Sequence, residues 1–147
     1  MLENSTVMER LLNAMFMISK RKTTEINTIS IMDSLLSTLS SRYNFLKSVE
    51  VKDVRYLENE NAISVMNEID TVSPAEVGRA INEFLKSMDG ALGRKAGHFF
   101  FKEISNRLGD DVTTMMRDEM GVDISLLQLE KEVSTLEKRV SEKVNFE

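Results

Sequence analysis

The chain has no cysteine, no tryptophan, one proline and one histidine in 147 residues. Without a thiol there is no disulfide framework, no thiolate zinc site and no cysteine nucleophile, and a reducing, cytoplasmic setting is the natural expectation. With His98 as the only imidazole, a Ser-His-acid triad would have to be built on that one residue, and the G-x-S-x-G elbow that presents a nucleophilic serine is absent. A non-catalytic protein is therefore expected.

Long apolar runs are also missing: no segment approaches 18 apolar residues, and no membrane association is expected. The opening residues MLENSTVMERLL place an acid and polar groups where a secretory leader would carry basic residues before an apolar stretch. The neighbouring acids Asp110/Asp111 and Asp118/Glu119 diverge by about 100° on a helix, and no EF-hand spacing is present, so neither a metal nor a cofactor is expected.

Positive charge is scarce and unevenly placed. The chain carries a net charge of −5, yet residues 1–55 hold eight Lys or Arg against six Asp or Glu. An acidic chain is a poor non-specific nucleic-acid binder, because phosphate neutralisation supplies most of that affinity. The basic half nonetheless permits one alternative. Helices followed by a hairpin is the order of a winged-helix DNA-binding unit, for which Lys20, Arg21, Lys22 and Arg42 are the candidate phosphate contacts.

What the chain has in quantity is helical periodicity. Thr6-x-x-Glu9 reads as a capping box opening a helix over about 6–19, with Val7, Met8, Leu11, Leu12 and Met15 on one face. Ile26, Ile29, Met32, Leu36, Leu39 and Tyr43 recur every three or four residues and predict a second, longer helix antiparallel to the first. VEVKDVRYL is rich in β-branched residues, ENEN at 58–61 is turn chemistry, and AISVM resumes the apolar run, which predicts a small β-hairpin. Its second arm, within 62–69, also fits a helical face through Val65, Met66 and Ile69. Ser73-Pro74-Ala75-Glu76 combines an N-cap, a first-turn proline and a capping-box glutamate ahead of a helix to about Asp89. Further helices are predicted over 92–108 and 110–120, the glycines at 109 and 121 marking their ends. The expected fold class is α+β and mostly α-helical: an N-terminal helical pair, a small β-hairpin, and a C-terminal helical bundle ending in a heptad-bearing helix.

The stretch GALGRKAGHFFFKE raises the question of a phosphate loop. A Walker loop needs four residues between its glycines and then Lys-Ser/Thr, whereas Gly93 is followed by Arg94-Lys95-Ala96. On a helix at about 100° per residue, Ala96, Phe100, Phe101, Ile104 and Leu108 share an apolar face with Gly93 and Gly97 at its centre. That placement predicts close helix packing at the two glycines, against the helix at 74–89 or a second chain. The other face gathers Arg94, Lys95, His98 and Lys102, a candidate site for a small anion or an acidic partner. The three phenylalanines Phe99, Phe100 and Phe101 suggest a further alternative, a small-ligand sensor with an aromatic pocket beside the hairpin.

The tail differs in kind. Ser125-x-x-Gln128 reads as a capping box, and Leu126, Leu129, Val133, Leu136 and Val140 alternate spacings of three and four between charged residues. This is a short heptad seam. It predicts a single compact domain over 1–123 and a coiled-coil-like amphipathic helix over 124–147 that joins two copies of the chain. The expected function is a homodimeric interaction or regulatory module that presents a surface to a protein partner, with nucleic acid disfavoured.

Overall fold

The computed structural model describes residues 2–52 and 62–145, with side chains described as far as Ser141. Among these residues the fold is mostly α-helical α+β, with six α-helices and one two-stranded antiparallel sheet. No helix among them is long and apolar enough to cross a membrane.

Helix α1, Asn4–Lys22, is the hub of the core: Val7, Met8, Leu11, Leu12 and Met15 are all but fully buried, and Phe16 and Ile18 are buried beside them. It touches α2, α3, α4 and α5 as well as the sheet, rather than pairing with α2 alone. Its start lies two residues earlier than the Thr6 box predicts, because the first turn is capped from elsewhere in the chain. The Ser5 amide donates to Asp70 Oδ1 at 2.7 Å and the Ser5 hydroxyl to Oδ2 at 3.0 Å. Asn4 Nδ2 donates to the carbonyls of Ile69 and Val72 at 3.1 and 2.7 Å. A carboxylate at a helix N-terminus meets both the orphan N–H groups and the positive pole.

Thr24 caps helix α2, Glu25–Ser40, by accepting from the Asn27 amide at 3.0 Å. The helix stops short of the predicted Tyr43, and a 3₁₀ turn over Asn44–Ser48 leads into β1, Val49–Val51. Strand β2, Ile63–Val65, pairs with β1 in the register Val49↔Val65, Glu50↔Ser64 and Val51↔Ile63. The two strands form the predicted hairpin pairing; its turn, including ENEN at 58–61, lies outside the described residues. The ambiguous stretch 62–69 resolves into both alternatives in succession, a strand and then a 3₁₀ turn over Asn67–Thr71.

Helix α3, Pro74–Leu92, opens as its sequence predicts, with Ser73 Oγ accepting from the Glu76 amide at 3.3 Å. The helix predicted over 92–108 is not continuous. A 3₁₀ turn occupies Gly93–Ala96, and α4 runs only from Phe100 to Leu108. Gly93 and Gly97 adopt φ of 59° and 82°, a region closed to most side chains, so they interrupt the helix instead of lying within it. Neither makes a close helix contact: a β-carbon on Gly93 would meet nothing within 4 Å, and one on Gly97 only the Lys22 ammonium at 3.3 Å.

The close approach occurs at Gly78 on α3, where a β-carbon would fall 1.8 Å from the carbonyl oxygen of Met120. Helix α5, Asp110–Glu119, therefore ends against the backbone of α3. Helix α6, Ile124–Asn145, follows the glycine at 121 and completes the fold.

Candidate functional site

Helix α6 carries two apolar faces. At about 100° per residue, Ile124, Leu127, Gln128 and Lys131 cluster on one side. Leu126, Leu129, Val133, Leu136 and Val140 fall on the opposite side. The first set faces the core, with Ile124, Leu127 and Gln128 buried against the body of the protein. The packed body thus extends through the first turns of α6, beyond residue 123.

Three polar devices lock that inner face. Asp123 caps the helix, its Oδ1 accepting from the Ser125 hydroxyl and from the Leu126 amide at 3.3 Å. Those bonds, the Ser125 bond foremost, hold the Asp123 carboxyl below the usual carboxylate range. The cap is therefore Asp123 rather than the predicted Ser125, and Gln128 is released for another task. Its Oε1 accepts from the Lys102 amide at 3.1 Å, in the first turn of α4, and its Nε2 donates to the His98 carbonyl at 2.9 Å.

Lys131 is the third device. Its ammonium, on a side chain only 17% exposed, donates to Asp89 Oδ1 at 2.5 Å and to the Gly97 carbonyl at 2.6 Å. It also lies 5.8 Å from the ring centroids of both Phe100 and Phe101. The C-terminal end of α3, the carboxylate and the two aromatic faces each favour that cation.

The outer face has no such partner. Leu126, Leu129, Val133, Leu136 and Val140 are between 46% and 61% exposed, which makes five of the eight large hydrophobic side chains exposed among the described residues a single stripe on one helix. Scattered surface leucines are ordinary, but a contiguous apolar row rimmed by charge marks a contact surface. Beyond Thr135, every α6 residue whose side chain is described is exposed, so the helix overhangs the body.

The remaining sequence candidates lie on several elements. Arg94, Lys95, His98 and Lys102 do not share a helix face, because a 3₁₀ turn over Gly93–Ala96 and a non-helical stretch precede the start of α4 at Phe100. Arg94 borders an open groove of about 630 Å³ between α3 and α6, lined also by Lys86, Lys131, Lys138, Asp89 and Glu130. His98 lies by α6 with its Nε2 3.9 Å from Glu132 Oε1, and Lys102 sits 5.8 Å from the Phe99 ring.

The phenylalanine triplet divides likewise. Phe100 and Phe101 are core residues and Phe99 is half exposed, so the three do not line one pocket. The basic residues of the first half are also apart: Lys20, Arg21 and Lys22 lie in the last turn of α1, and Arg42 lies past the far end of α2, a 16-residue helix spanning about 24 Å. Lys22 is paired with Glu103 at 3.0 Å and Arg42 with Glu83 at 2.7 Å. Among the described residues, no three His, Asp or Glu side chains come together in a group able to hold a metal ion.

No protein-family model, curated protein or solved structure matches this chain.

Proposed function

We propose that this protein is a non-catalytic, homodimeric interaction module whose second copy covers the outer face of α6. The observation that carries the reading is the half-exposed row of Leu126, Leu129, Val133, Leu136 and Val140, at heptad spacing, on a helix fixed to its body by the opposite face.

Magnitudes set the strength of the contact. Each of these side chains still has about half its surface to bury, a gain of about 1 kcal/mol apiece. Ten of them in a dimer give about 10 kcal/mol gross, against an association cost of about 4–15 kcal/mol. At the low end of that cost the net is about 6 kcal/mol, a dissociation constant of tens of micromolar, so the dimer is weak and concentration-dependent rather than obligate.

Because the stripe contributes little to the core of one chain, breaking it should leave the fold intact. The double variant L129D/L136D is expected to retain the helical circular dichroism and thermal transition of the parent, and to elute as a single chain at every concentration in light-scattering chromatography. A variant that still dimerises removes the stripe from the interface.

A further inference from the structure

Resting on that self-association, we infer that the two α6 helices pair antiparallel. The inference comes from the charges that flank the stripe. Glu130 and Glu137 border one edge, while Glu132 and Arg139 border the other. Residues bordering a heptad seam set the orientation of the partner helix, because each orientation brings different pairs together.

In a parallel pair, Glu132 of each chain would face Glu137 of the other on both edges of the seam. Two carboxylate repulsions would result and no attraction. In an antiparallel pair, Leu129 packs on Val140 of the second chain and Val133 on Leu136. That register brings Arg139 of the second chain within two residues, about 3 Å of helix rise, of the level of Glu132. Two Glu–Arg pairs form on one edge. On the other edge Glu130 approaches Glu137, so the repulsion of the parallel form is matched, and the two attractive pairs decide between them. Arg139 is exposed on the side of α6 that borders the stripe.

The shape of the protein favours the same answer. The inner face of α6 is bound to the body only as far as Thr135, and the exposed overhang after it carries Leu136 and Val140. Antiparallel pairing lays each overhang on the body-anchored half of the other helix and sets the two bodies at opposite ends. Parallel pairing would match overhang with overhang and crowd both bodies at one end.

The absence of native cysteine makes the test direct. Two single variants, L129C and V140C, both at exposed positions, are mixed in equal amounts, oxidised, and the covalent dimers are weighed by mass spectrometry. The mixed L129C–V140C product should dominate. Homotypic products would overturn the antiparallel orientation and leave self-association standing. A sedimenting dimer that gives no covalent product would move the interface off the stripe, and a chain that is monomeric throughout would overturn the self-association itself.

Charge reversal supplies the second readout. R139E, which sets Glu132 against a carboxylate of the second chain, should weaken the dimer on the order of tenfold. An R139E dimer as tight as that of the parent would also contradict the pairing.

Discussion

Gly78 is the residue at which the core allows no side chain at all. A β-carbon there would penetrate the Met120 carbonyl group, and the obstacle is backbone rather than a movable side-chain tip. Gly90, on the same helix, would meet nothing within 4 Å and has an ordinary negative φ. The two positions should therefore respond to the same substitution with opposite signs. G78A is expected to lose roughly 3 kcal/mol, as overpacking forces α3 from the end of α5, and G90A to gain roughly 0.5–1 kcal/mol from reduced freedom of the unfolded chain. Urea denaturation of both variants checks this; equal effects would place the close approach elsewhere. The sequence does carry a signal for Gly78, a glycine next to Val77 inside an otherwise well-formed apolar helix. Gly93 and Gly97 drew attention instead because their spacing fitted a helix. Nothing in periodicity distinguishes a glycine used for its small size from one used for a positive φ.

At the scale of the element, helices with local start signals were legible, and those defined by distant residues were not. Ser73-Pro74 states its own cap in consecutive residues. The cap of α1 is Asp70, which meets Ser5 across 65 positions of sequence and cannot be read from a local pattern. At α6 two acceptable local caps compete, and Asp123 prevails because Gln128 is drawn to the start of α4. The folded-state pKa of Asp123 lies below its ordinary value, so the unfolded chain binds the proton more readily, and the stabilisation is present above pH about 4 and lost as pH falls through the folded pKa. D123A should therefore cost about 1 kcal/mol near neutral pH, with the difference from the parent shrinking below pH about 4. Denaturation midpoints of the two proteins at several pH values test it. A difference that persists undiminished in acid would show that the carboxylate is not the cap.

For the molecule as a whole, the helical class, the position of the hairpin and the outward stripe followed from periodicity, because each depends on residues close in sequence. The division of the cationic cluster did not. Arg94 and His98 do not share a helix face, because Gly93 and Gly97 take positive φ between α3 and α4. The central place of α1 was also hidden, since a helix enclosed on several sides and one buried along a single stripe look alike when Val7, Leu11 and Met15 are read alone. What emerges is a body assembled around α1, with α6 clamped by Gln128 and Lys131 so that its other face is held outward on a rigid support. Sedimentation equilibrium of the unaltered chain, over a concentration series from about 1 to 500 µM that brackets the weak affinity expected from the stripe, tests that account most directly. The average mass should rise from the single-chain value of 16.8 kDa toward twice that value. A mass that stays at 16.8 kDa across the series would contradict it.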